Sequence, residues 1–293
     1  MGVLVELVLR GIAIGSIYSL IGLSFNLVYA STNILNFAQG EILVVGAILG
    51  IVFHSVLGMP LFLSFLCVLA AMVVLGVVQE RLVMPPVRRE RRAVTWLLTT
   101  VGIGLVLRSL IEVTWGSRTV SLPAIVPQVS IRLGESSLPL VYVFMVVFAV
   151  AVTLVIEALE RRNIWGKAMV AVSQDPEAAA LRGIDVWRLQ VTGFVLGTVL
   201  GGATGFIIAP VTFVQAAMGL SFILKGFVAV AIGGVGSNWG TLAGGMLLGA
   251  LEVLGAYFTS ASYQDTFAFG LLLLILLVRP HGLVGGREVL RQV

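Results

Sequence analysis

The sequence contains few charged residues, a single cysteine and only two histidines. Charged side chains make up 11% of the 293 residues and hydrophobic side chains make up 59%, whereas charged residues are about 25% of an average soluble domain. So little charge cannot cover the surface of a soluble fold. The lone Cys67 excludes an internal disulfide framework, and two histidines argue against a metal site built by this chain. The composition therefore predicts an all-α polytopic membrane protein.

Motifs for enzymatic chemistry are also missing. A Walker A loop needs Gly-Lys followed by Ser or Thr, and neither Lys167 nor Lys225 lies in that pattern. No G-x-S-x-G elbow occurs, which argues against an intramembrane protease. The net charge of +4 comes largely from Arg residues clustered in short loops, which is typical of membrane topology signals rather than of nucleic-acid binding. We therefore expect no enzyme activity, no resident cofactor and no nucleic-acid partner.

Long uncharged runs predict about eight or nine transmembrane segments, including broken or re-entrant helices. A charge-free run over residues 42–79 is long enough to cross twice, and Gly58-Met59-Pro60 supplies the break. The predicted helices lie near residues 8–29, 41–57, 61–83, 94–115, 138–159, 191–210, 219–233, 240–258 and 266–279. They are expected to form a single transmembrane domain over residues 1–293.

Basic residues indicate the orientation. Arg and Lys cluster in residues 80–93, in residues 160–190 and in the C-terminal tail, whereas the connections at 116–137 and 259–265 contain few or none. Because basic loops stay in the cytoplasm, the positive-inside rule places these three segments there.

Several polar residues fall inside or beside predicted spans, where each needs a reason. Asn36, Gln39 and Glu41 crowd into one short stretch, which predicts either a helix break lining a cavity or an ordinary loop with an acid near a helix start. Glu252 is predicted near mid-membrane, in either a structural hydrogen bond or a transport pathway. Lys225 is predicted near the outer surface, where its side chain would reach the interface.

Two further segments have recognisable local chemistry. Gly233, Gly234 and Gly236 interrupt a charge-free run and predict a helix break. In the loop at 160–190, Asp175 is an expected N-cap, followed by Pro176 at the first helical position and ended by Gly183. The short predicted helix should lie outside the bilayer, either docked on a partner or resting on headgroups.

At this point the chain resembles a known family. Glu177-Ala178-Ala179, followed by Gly183 after three residues, is similar to the EAA-x3-G signal of ABC importer permeases. Other segments, in order, resemble the LivH-type permease of branched-chain amino acid ABC transporters. They are NFAQGE at 36–41, Glu80-Arg81 with Pro86 and Arg88, Gly116-Ser117-Arg118 with Pro123, GGVGSNWGTLAGGMLLGALE at 233–252, and Arg279-Pro280-x-Gly282.

The resemblance implies a multi-pass permease domain of the inner membrane, with a cytoplasmic C-terminus, that works by alternating access. It implies a second permease subunit (LivM-like) or a copy of itself, two ATPase subunits that bind ATP, and an extracytoplasmic substrate-binding protein. The implied coupling residues are Asp175, Glu177, Ala178, Ala179 and Gly183. Asn36, Gln39, Glu41 and Glu252 are the hypothesised substrate pathway.

The implied cargo is a branched-chain or other neutral amino acid. A permease for urea or short amides, or for sugars, is the alternative within the same class of importer. Outside that class, an ion-driven secondary transporter would suit the broken helices and buried polar groups equally well. A structural membrane subunit is a further alternative.

Overall fold

A computed structural model describes residues 2–90, 93–116, 119–125, 127, 129–133, 136–260, 263–279 and 282. Within these residues the fold is helical. The helices are α1 (Gly2–Thr32), α2 (Gln39–Ile51), α3 (Leu61–Arg89), α4 (Ala93–Trp115), α5 (Leu140–Arg162), α6 (Ile164–Gln174), α7 (Pro176–Leu181), α8 (Val186–Ile208), α9 (Met218–Gly233), α10 (Asn238–Phe258) and α11 (Gln264–Val278). A π-helical turn, Val52–Val56, continues α2, and strands β1 (Ser130–Leu133) and β2 (Ser136–Pro139) pair antiparallel.

Seven of the described helical segments are long and apolar enough to cross a membrane, because a span needs about 20 residues of apolar helix. They are α1, α2 with its π-helical turn, α3, α4, α5, α8 and α10. Helices α9 and α11 are apolar but shorter. The all-α polytopic membrane class predicted from the composition is therefore confirmed, and the number of segments roughly agrees with the eight or nine predicted.

The chain divides into two compact units. Unit one comprises Met1–Leu23, Ala124–Val155 and Leu224–Val293, and unit two comprises Ser24–Pro123 and Ile156–Ile223. Helices α1, α5 and α9 each contribute to both units. Each unit has buried polar side chains of its own, which are described below.

Helix α8 is the centre of unit two and packs against both α2 and α3. Its glycine-rich face allows this, because a Cβ at Gly202 would clash with Met72 of α3 and one at Gly46 of α2 would clash with Gly202. Nearer the start of α8 than Gly202, Phe194 lies in an apolar cluster with Val28 and Val83. The close helix approach leaves polar side chains of α2 and α3 buried against α8.

In unit one, α10 packs against the first part of α1 and against α11. A Cβ at Gly11 of α1 would lie 2.6 Å from Cα of Ala250, and one at Gly255 would lie 2.5 Å from the Phe267 ring. Small residues at these positions let the backbones approach closely, as is typical of helices packed in a bilayer.

The structure differs from the predicted elements at three places. Helix α3 continues to Arg89 through Pro85 and Pro86 instead of ending near residue 83, because Arg88 is held by partners on α3 and α8. Helix α6 was not predicted, although Asn163 caps it by accepting from the Trp165 N–H at 3.2 Å. The hairpin of β1 and β2 lies in the segment expected to be a loop. The predicted cytoplasmic tail after residue 282 lies outside the described residues.

Candidate functional site

Asn36 lies between α1 and α2 and is completely buried. Its side-chain oxygen accepts from the Ala38 N–H at 3.1 Å, which shapes the turn into α2. Its amide donates to Oε1 of Gln79 on α3 at 3.3 Å, and the same oxygen accepts from the Thr198 hydroxyl of α8 at 3.2 Å. Gln79 and Thr198 were not singled out from the sequence. The sequence feature that could have identified Gln79 is its position as a polar residue at the end of a long apolar run.

Gln39, the first residue of α2, is also completely buried. Neither its amide nitrogen nor its carbonyl oxygen has a hydrogen-bond partner in the described part of the chain. The side chain occupies space left by glycines of α8, since Cβ atoms at Gly197 and Gly201 would lie 3.1 and 2.9 Å from its amide atoms. A buried carboxamide without partners is costly, typically about 1–3 kcal/mol, so it is available to bind a ligand or a water molecule.

Glu41 lies within the first turn of α2, where its charge suits the helix dipole. Only 8% of the residue is exposed, and one carboxylate oxygen has no partner among the described residues. A Cβ at Gly219 would lie 2.6 Å from the carboxyl carbon, and one at Gly104 would lie 3.8 Å from Cγ. The carboxylate therefore lies against the start of α9, with its stem next to α4. We call Asn36, Gln39, Glu41, Gln79 and Thr198 the polar cluster.

Glu252 belongs to unit one, on α10, and is paired. Lys225 Nζ donates to Glu252 Oε1 at 2.5 Å and to the Tyr18 hydroxyl at 3.4 Å, and it lies 5.3 Å from the centre of the Tyr18 ring. Lys225 and Glu252 are only 9% and 3% exposed. The prediction that Lys225 reaches the outer surface was wrong, because the buried carboxylate offers its ammonium a partner inside the bundle.

The three glycines predicted to break a helix lie in the connection between α9 and α10. Helix α9 ends at Gly233, and the turn that follows uses positive φ at Gly234 (97°) and Gly236 (81°). Such angles strain any residue with a Cβ. Ser237 then caps α10 by accepting from the Gly240 N–H at 3.1 Å.

Of the predicted coupling residues, Asp175, Ala179 and Gly183 shape the loop. Asp175 Oδ1 accepts from the backbone N–H groups of Glu177 and Ala178, both at 3.0 Å, and so starts α7. Ala179 is only 5% exposed and packs with Val172 and Leu189. Gly183 turns the chain out of the helix with φ of 81°.

The outward face of α7 is formed by other residues. Glu177 and Ala178 are exposed, and Leu181 is 90% exposed. Nearby segments outside the candidate spans add two more exposed apolar side chains, Ile164 at 77% and Trp165 at 57%. The sequence does not single out Leu181, because its exposure depends on which side of α7 packs against α6 and α8. We call α6 and α7 together the coupling segment, after the role that the sequence predicts for residues 175–183.

Comparison with known proteins agrees with this architecture. The family model described as "Branched-chain amino acid transport system / permease component" matches residues 7–276. The high-affinity branched-chain amino acid transport system permease protein LivH of Salmonella typhimurium is 29% identical, over 96% of this chain and 95% of the relative. The corresponding permease protein BraD of Pseudomonas aeruginosa is 30% identical, with the same shares covered.

A solved structure shares the fold. PsaBC from Streptococcus pneumoniae, in complex with Fab, superimposes with a TM-score of 0.51 over 94% of this chain and 91% of that one. Since the sequences are only 13% identical, this likeness concerns the arrangement of helices alone.

Proposed function

This chain belongs to the family of branched-chain amino acid transport system permease components, and from that premise we propose that it is the membrane-spanning subunit of an ATP-driven importer. As a permease component it is embedded in a membrane and carries out transport rather than chemical catalysis. We place it in the inner membrane, with both compact units forming one permease domain. It pairs with a second, LivM-like permease subunit or with a copy of itself.

The exposed coupling segment is the observation that carries the proposal. Helix α7 has only six residues, and so short a helix does not persist without a supporting contact. Its inner face is held by the packing of Ala179, whereas Leu181 is almost fully exposed to solvent. An exposed leucine next to Glu177 and Ala178 suits insertion into a groove on an ATPase subunit. An ion-driven carrier has no need for such a segment.

We assign ATP binding and hydrolysis to the ATPase subunits, since this sequence contains no Walker A motif. Two of them dock on the cytoplasmic side, where the positive-inside rule places the basic loop at residues 160–190. An extracytoplasmic binding protein delivers the substrate. Closure of the ATPases displaces the coupling segment and drives the helices between inward-open and outward-open arrangements.

The polar cluster supports the substrate assignment. The proposed cargo is a branched-chain or other neutral amino acid, which carries one ammonium and one carboxylate group. The unpaired Gln39 amide can donate to a carboxylate, and the unpaired oxygen of Glu41 can accept from an ammonium. Asn36 keeps the start of α2 in place, and Glu252 offers a second unpaired carboxylate oxygen in unit one.

Reconstitution tests the proposal directly. The chain, co-purified with its ATPase and second permease subunits, is placed in proteoliposomes containing ATP, and uptake of radiolabelled leucine is measured in the presence of the binding protein. We expect uptake that requires ATP and that excess isoleucine or valine suppresses. Uptake driven by an ion gradient without ATP would contradict the ABC assignment, and uptake suppressed by urea but not by isoleucine would contradict the substrate class.

A further inference from the structure

We propose that the adjacent residues Gln79 and Glu80 of α3 connect the base of α8 to the polar cluster, so that movement of the coupling segment reaches Asn36. This inference rests on the proposed function, since it requires an ATPase that displaces the coupling segment. It assigns Gln190 on α8 and Arg88 on α3 as positioning residues for transport.

The connection begins where the coupling segment joins α8. The Ile184 N–H donates to the Ala179 carbonyl at 3.1 Å, and Ala179 packs against Leu189. Asp185 then caps α8 by accepting from the Arg188 N–H at 3.1 Å. Because the end of α7 is bonded to the residues that start α8, displacing one displaces the other.

Near its start, α8 is bonded to α3 through Arg88, which a buried acid of α3, Glu80, holds in place. Arg88 Nη2 donates to Oε1 of Gln190 at 2.6 Å and to Oε1 of Glu80 at 3.1 Å. Glu80 and Gln190 are only 1% and 4% exposed. Hydrogen bonds to a charged group in such a site are stronger than neutral ones, so this end of α3 follows α8.

Gln79, the residue adjacent to Glu80 on α3, makes the second contact with α8. Gln79 Oε1 accepts from both Thr198 of α8 and Asn36 of the α1–α2 connection. Thr198 is eight residues after Gln190, or about 12 Å along the helix axis at about 1.5 Å per residue. Helix α3 therefore holds α8 at two positions, through Gln79 directly and through Arg88, which Glu80 holds in place. The contact made by Gln79 includes Asn36, a residue of the proposed substrate pathway.

We expect substitutions in this connection to uncouple leucine transport from ATP hydrolysis. In the reconstituted complex, Gln190→Leu removes the acceptor that Arg88 bonds and Thr198→Val removes the donor to Gln79 without changing side-chain size greatly. We expect each to lower the leucine transported per ATP hydrolysed about three- to tenfold, with ATPase docking and basal ATP hydrolysis within about twofold of the original chain. The double variant should lose no more transport per ATP than the single variant with the larger loss, because both substitutions interrupt the same connection.

Two control variants distinguish this from general damage. Gln190→Glu keeps an oxygen that Arg88 can bond and should retain most of the coupling. Thr192→Val, on the same helix, removes a hydroxyl that donates to the Arg188 carbonyl of its own helix, and should leave the ratio unchanged. An unchanged ratio in Thr198→Val, or losses that multiply in the double variant, would overturn the inference. If the original complex itself moves no leucine with ATP, the proposed function fails and the inference falls with it.

Discussion

Both compact units bury polar groups among apolar helices, but they pair them to different extents. Unit one buries a full charge pair, Lys225 with Glu252, supported by Tyr18. Unit two also buries the acids Glu41 and Glu80, but it differs in burying amides, and side-chain atoms of Gln39 and Gln79 have no partner among the described residues. An unpaired amide inside a bilayer costs less than an unpaired charge. We therefore expect the charge pair of unit one to stabilise the fold, and the amides of unit two to offer the contacts that the proposed pathway needs.

The largest effect should come from breaking the charge pair on one side only. Lys225→Ala leaves the Glu252 carboxylate buried without its cation, so we expect a loss of about 3–5 kcal/mol in the free energy of unfolding. The double variant Lys225→Met with Glu252→Leu removes both charges and should recover most of that loss. Thermal unfolding of the purified chain in detergent measures both. A double variant as unstable as the single one would show that the charges themselves are required.

A substitution at Gln39 should lower transport without lowering stability, in contrast to Lys225→Ala. Gln39→Leu replaces an unpaired buried amide by an apolar side chain of similar size, so the chain should be as stable as before or more stable, by up to about 1–3 kcal/mol. Leucine uptake should nevertheless fall at least about tenfold, because the substrate loses the amide. The same unfolding assay, paired with uptake in proteoliposomes, separates the two effects. Uptake at the original rate would remove Gln39 from the pathway.

The coupling segment offers a third comparison, between its inner and outer faces. Leu181→Asp changes an exposed side chain, so stability should change by less than about 0.5 kcal/mol while co-purification of the ATPase subunits falls several-fold. Ala179→Asp instead buries a carboxylate against Val172 and Leu189 and should destabilise the segment itself. Proteolysis of the coupling segment and recovery of the ATPase subunits measure these outcomes. Normal docking by Leu181→Asp would place the ATPase contact elsewhere.

A small loss of stability is expected from breaking an ion pair of the same length whose cation is exposed. Arg161 Nε lies 2.5 Å from Glu157 Oε1, as close as the atoms of the buried pair, but the Arg161 side chain is 69% exposed. Since solvent screens such pairs, Arg161→Ala should cost less than about 1 kcal/mol. Unfolding of this variant beside Lys225→Ala isolates the effect of burial. Equal losses from the two variants would mean that burial does not determine the strength of these pairs.

Helix positions were predicted well where local chemistry alone decides them. Apolar runs located the nine predicted helices to within several residues, seven of them long enough to be candidate spans, and Asp175 with Pro176 located α7. Contacts between distant residues were not predictable in this way. Nothing near Lys225 in the chain identifies Glu252, 27 residues later, as its partner. The burial of Ala179 likewise depends on packing across the loop.

The amino-acid sequence alone determined the membrane class, the approximate spans, the short helix α7 and the family resemblance, because hydrophobicity, capping and motif spacing are local properties of a chain. Which polar side chains share a bond was decided only by the packed helices. The ties of Gln79 to Asn36 and Thr198, and of Arg88 to Gln190, join residues 43, 119 and 102 positions apart. They exist because glycines let α8 approach α2 and α3 closely enough for these side chains to meet.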